Sequence, residues 1–204
     1  MENSPLLATA DELELARQDL NGALNVTRRL PDSPFKTPGR FSLCEYESFT
    51  SLTFGRAIAA LAAQYRDEWI SGVVIAPDPE TYFEGDHVYS AFRLGRGDLS
   101  ARWAAVVSFE PAGNAAASIQ VQAMILAVAG SSGLWGIWGE RAEGVAVVRT
   151  DSADDSWQGE EGPFVDAKEA LRSFVEPNYV AAPLPGAFEK QFLLNFGGQS
   201  AQSS

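Results

Sequence analysis

The chain has 204 residues, 46% of them hydrophobic and 21% charged, a balance that fits one globular domain and excludes wholesale disorder or a fibrous protein. Its 27 acidic and 15 basic residues leave a formal charge of −12, the wrong sign for gripping phosphate backbones, so no nucleic acid partner is expected. A single cysteine, Cys44, and a single histidine, His87, exclude an internal disulfide, a CxxC zinc site and any centre built on paired imidazoles.

Near the start of the chain, Thr9 and Glu12 have the spacing of a capping box. Leu13, Ala16, Leu20 and Leu24 follow at helical intervals, which predicts a first helix over 10–24. No basic stretch precedes an apolar one here, so no secretory signal is expected. The longest apolar run, Ala123 to Ala129, has seven residues, far short of the roughly 20 that cross a bilayer. Those features predict a cytoplasmic protein with no membrane partner. Residues 30–40 contain Pro31, Pro34, Pro38 and Gly39 and read as an extended Pro-rich connector.

The segment from Phe41 to Phe49 reads as a strand leading into a helix over 51–65, where Phe54, Ile58, Leu61 and Tyr65 fall on one stripe among alanines. Trp69 to Ala76 is a β-branched run stopped by Pro77 and Pro79, and predicts a buried strand. His87–Leu94 and Leu99–Phe109, joined by Gly95-Arg96-Gly97-Asp98, predict a hairpin. Residues 115–129 suit a helix capped by Asn114 and ending at Gly130, with the alternation of Ile119 to Gln122 pointing instead to a strand. Leu134–Glu140 and Val145–Thr150 predict a second hairpin. Asp166 with Glu169 caps a short helix, and Phe188, Phe192 and Phe196 mark a last one before Gly197. The expectation is one α+β domain over 1–197, with a mainly antiparallel sheet built from hairpins and covered on one face by helices from both chain ends. A polar tail at 198–204 is expected to be flexible.

Chemistry-bearing motifs are scarce. A Ser-His-Asp or Cys-His triad would have to use His87, no serine lies in a G-x-S-x-G elbow, and Gly130-Ser131-Ser132-Gly133 has the spacing of a turn. No glycine-rich phosphate cradle follows a strand, so no cofactor is expected. Arg96-Gly97-Asp98 matches an extracellular adhesion tripeptide, but its glycines serve the turn. Asp78, Glu80, Glu84, Asp86 and His87 lie within ten positions, so a carboxylate- or metal-dependent enzyme acting on a small molecule is one alternative. Its base would come from Glu84, Asp86 or His87, and all five residues would be its metal ligands.

The leading expectation is non-catalytic. Residues 140–169 hold nine acidic and three basic side chains, and Asp151, Asp154, Asp155, Glu160 and Glu161 fall in an exposed loop. Beside it, Trp135 and Trp138 are spaced so that a strand would bury one and present the other. Together they predict an acidic protein-binding module for a basic partner, an inhibitor of the immunity type being one concrete form. A structural subunit docking through Phe188, Phe192 and Phe196 is the remaining alternative.

Overall fold

The computed structural model describes residues 4–159 and 162–198. Among them, six strands form one sheet in the order β1-β6-β5-β4-β2-β3, with every neighbouring pair antiparallel. The strands are β1 (Arg40–Glu45), β2 (Trp69–Ala76), β3 (Ala91–Gly95), β4 (Ile125–Gly130), β5 (Trp135–Glu140) and β6 (Val145–Thr150). The helices are α1 (Ala10–Ala23), α2 (Tyr46–Phe49), α3 (Gly55–Gln64), α4 (Pro79–Asp86), α5 (Leu99–Val107), α6 (Ile119–Gln122), α7 (Ala167–Ala170), continued by a π-helical turn, and α8 (Gly186–Phe196). The α+β class holds, with helices on both faces of the sheet rather than one.

Side chains alternate across each strand, so the two faces build separate cores. Ile70, Val74, Leu126, Val128, Trp135, Ile137, Ala146 and Val148 meet α2, α3 and α5 through Phe49, Ile58, Leu61, Trp103 and Val107. Val73, Ala127, Ala129, Trp138, Val145 and Val147 meet α1, α7 and α8 through Leu13, Leu20, Ala170 and Phe192. Every residue of β5 and β6 is buried as a result. That double covering explains strands made of continuous apolar runs in an antiparallel sheet, where one wet face would have produced polar alternation. Glycines let the layers approach. A Cβ at Gly139 would lie 2.7 Å from Phe49 Cδ1, and one at Gly72 would run into the Phe92 ring.

The Thr9 capping box forms as expected: Glu12 N–H donates to Thr9 Oγ1, and Thr9 N–H donates to a Glu12 carboxylate oxygen. Three expectations change. Leu99–Val107 is a helix, with Asp98 Oδ1 accepting from Ala101 N–H as its cap, so Gly95 to Asp98 joins a strand to a helix. Within 115–129, a short 3-10 turn and α6 lead into β4, and the Ala127 and Ala129 methyls face α1. Residues 79–86, expected to connect two strands, form α4, with Asp78 as N-cap and Pro79 in its first turn. No helix among the described residues is long and apolar enough to cross a membrane.

Candidate functional site

The carboxylates on and around α4 do not converge on a metal position. Asp78 spends its side chain on Thr81 N–H and Oγ1, Glu80 forms a bidentate pair with Arg17 at 2.7 and 2.8 Å, and His87 is a left-handed C-cap at φ 57°. No three acidic, histidine or cysteine side chains among the described residues converge on an ion position. The expected metal cluster of Asp78, Glu80, Glu84, Asp86 and His87 is therefore not assembled among the described residues, where Asp78 caps the helix, Glu80 is ion-paired and His87 ends it; Glu84, Asp86 and His87, the expected acid/base residues, lie at its C-terminal end.

The tryptophan platform is corrected as well, since Trp135 and Trp138 are both fully buried. The helical layers on both faces leave neither side of β5 open. Each indole N–H is held by an internal carboxylate instead, Trp135 by Asp67 Oδ2 at 2.6 Å and Trp138 by Glu140 Oε1 at 2.7 Å. Glu140 Oε1 also accepts from Leu30 N–H at 2.9 Å, tying the Pro-rich connector to the sheet. The apolar stripe of α8 has the same fate: Phe192 and Phe196 are core residues and Phe188 stacks on Phe192, so the three do not form a docking patch.

Burial pushes the Glu140 carboxyl above the ordinary glutamate value of 4.5, against the pull of its two donors. Neighbouring Glu143 is raised by the same cause. A raised carboxyl means that the folded chain binds more protons, so this contribution is complete below 4.5 and is lost as pH rises through the raised value. Glu140→Gln keeps an acceptor for Trp138 and Leu30 without the charge. Its stability relative to the parent should therefore improve between about pH 4.5 and pH 7, as urea unfolding at the two pH values would reveal. A variant that instead gained on acidification would contradict the reading.

The acidic loop flanks a groove. It starts against the C-terminal end of α3, where Gln64 Nε2 donates to Asp154 O at 3.1 Å and Tyr65 Oη accepts from Ser152 N–H at 3.2 Å. Farther along, Gln158 Nε2 reaches Ser42 Oγ at 2.8 Å, and Val165 exchanges two backbone hydrogen bonds with Leu43 on the edge of β1. These four tethers fix residues 152–158 and Val165, and the described residues 156–159 and 162–164 face α2, the 3-10 turn Leu52–Phe54 and α3.

Between loop and helices lies this groove of about 950 Å³. Phe54, Ala57, Ala60, Trp157 and Phe164 supply its apolar surface, while Glu45, Glu47, Ser51, Arg56 and Gln158 are among its polar lining. The Trp157 and Phe164 rings meet edge to face at 4.7 Å and Phe164 meets Phe54 at 5.9 Å, so the aromatic surface is fixed by packing.

Of the charged residues lining the groove, Glu45 is exposed and has no ion pair among the described residues, Glu47 pairs with Arg141 at 3.2 Å, and Arg56 is cationic. Asp151, Asp154 and Asp155 lie on the adjoining loop outside that lining, Asp151 close enough to Arg149 to counter the lowering that burial imposes on its guanidinium pKa and Asp155 paired with Arg40 at 3.8 Å. Backbone and side-chain hydrogen bonds from Ser156 hold the Asp154 carboxyl below its usual range, keeping it ionised. The loop also sits at the negative end of the α3 dipole. Arg56 is the opposing charge on the rim. Glu160 and Glu161 lie outside the described residues. The groove was not legible in the sequence, because its surface joins residues about 100 positions apart, such as Phe54 and Trp157.

No protein-family model matches this chain, and no curated protein or solved structure matches it significantly.

Proposed function

We propose that this protein is an acidic protein-binding module that occupies a basic surface of its partner, in the manner of an inhibitor or immunity protein. One observation carries the reading: a tethered acidic loop, on which the exposed Asp154 has no ion pair among the described residues, stands next to a groove of peptide-binding size lined by aromatic side chains. Unshared carboxylates at such a groove speed encounter with cations and repel acidic competitors, and the apolar floor supplies contact area once water is expelled. Nothing in this arrangement calls for bond making or breaking, since the only histidine is a helix cap and the only cysteine is buried.

An extended peptide of alternating arginine and leucine serves as the probe. Calorimetry at low salt should detect binding to the parent chain. Replacing Glu45, Asp151 and Asp154 together by lysine should weaken it roughly tenfold or more, because a charge reversal turns each attraction into repulsion. All three side chains are exposed, so the fold should survive the change. Equal binding by parent and reversed variant, or none by either, would overturn the proposal.

A further inference from the structure

Residues 26–33, the tip of the Pro-rich connector, form a loop closed at its own neck. There Asn25 N–H donates to Pro34 O at 2.6 Å and Lys36 N–H donates to Ala23 O at 3.0 Å. The backbone bonds of the tip, Arg28 N–H to Asn25 O and Asp32 N–H to Arg29 O, stay inside the loop. It is fastened to the body of the domain by side chains instead. Leu30 N–H donates to Glu140 Oε1 at 2.9 Å, Asn195 Nδ2 of α8 donates to Pro31 O at 2.7 Å, and the Arg29 guanidinium lies 5.4 Å from the centre of the Trp138 ring. The Leu30 side chain is buried, so the closed loop is the dominant form.

What the tip covers is a buried acid. Glu140 is 6% exposed and forms no ion pair among the described residues. The cation facing it, Arg29, comes from the tip itself, and Arg29 Nη1 is spent on Val26 O and Arg28 O. Arg28 and Lys36 are likewise turned to backbone, at Ser33 O and Asn21 O. From the β5–β6 turn, half-buried Glu143 adds like charge and accepts from Tyr179 Oη at 3.1 Å, while α8 brings only the neutral Asn195. We propose that residues 26–33 are a lid over Glu140, held shut by a proton on that carboxyl and opening more often as pH rises. Opening breaks the Leu30 bond and lets water reach Glu140, where its carboxyl would return toward the ordinary value of 4.5. Burial holds the closed form above that value, so closing takes up a proton. The advantage of the closed lid is complete below 4.5 and shrinks as pH rises through the raised value.

Amide hydrogen exchange of the 15N-labelled full chain, corrected for intrinsic base catalysis, tests the lid. Leu30 N–H should exchange faster than the amides of β5 and β6, because the tip opens without the sheet. Its protection should fall about threefold or more between about pH 5 and about pH 7.5. Glu140→Gln keeps the acceptor and cannot ionise, so Leu30 protection should then stay level across the same range. Asn195→Ala removes the other tie, and should lower that protection roughly threefold at every pH while leaving its slope. Leu30 exchange as slow as that of β5 and β6 would mean that the tip has no opening of its own. That result, a level protection in the parent, or an unchanged slope in Glu140→Gln would each overturn the proposal.

Discussion

Replacing Asp67 by alanine is expected to lower the free energy of unfolding by about 3–5 kcal/mol, the range for removing one partner from a buried charged network. Asp67 is 4% exposed and lies in the turn from α3 into β2. One of its oxygens accepts from Ser132 N–H at 2.6 Å and Ser131 Oγ at 3.2 Å, and the other takes Trp135 Nε1 at 2.6 Å. The side chain thereby fastens the helical layer to the turn between β4 and β5. Alanine takes the acceptor from a backbone N–H and an indole N–H that the native carboxylate fits closely, since even a Cβ at Gly130 would press on it. Asparagine keeps one acceptor and should lose less. Denaturant titration of the two variants reports the difference, and a loss under about 1 kcal/mol for alanine would mean that water replaces the carboxylate at little cost.

Trp103→Ala should be comparably damaging, by about 3–5 kcal/mol. Trp103 is fully buried on α5 and contacts Phe49, Phe54 and Phe92, with ring centroids between 5.8 and 6.2 Å. Its N–H donates to Ser51 O at 3.0 Å. Phe54 and Ser51 also line the groove, so the cavity left by the indole opens directly beneath the proposed binding surface. Trp103→Phe, which fills most of that volume, should recover much of the stability and more of the peptide binding than the alanine variant. Equal stability of the parent and Trp103→Ala would contradict the packing described here.

Much of the architecture was legible where one local signal dominated. The capping box of α1, the apolar stripe of α3, the β-branched run of β2 and the hairpin of β5 with β6 each depend on neighbours in sequence. The failures share a cause in tertiary context. The Gly95–Asp98 turn made Leu99–Phe109 look like the second strand of a hairpin, yet Leu99, Trp103, Val106 and Val107 recur at helical spacing behind the Asp98 cap, a signal that was present and outweighed. Ala127 and Ala129 made β4 look helical, although small side chains in a strand are what the close passage of α1 requires. The two tryptophans of β5 could not be sorted into inside and outside from alternation, because a sheet covered on both faces has no outside.

For the site, sequence reasoning located the acidic loop but gave it the wrong neighbours. Trp157 stands within that loop and was hidden by the apolar hairpin upstream.

The account depends most on whether the carboxylates around the groove attract cations through an unscreened field. The direct measurement is the association rate of the unmodified chain with the arginine–leucine peptide across ionic strength from about 20 mM to about 200 mM, a range over which the screening length falls severalfold. The account predicts a rate that drops about tenfold or more across that range. A rate unchanged by salt would contradict it, leaving an apolar groove whose neighbouring charge plays no part in capture.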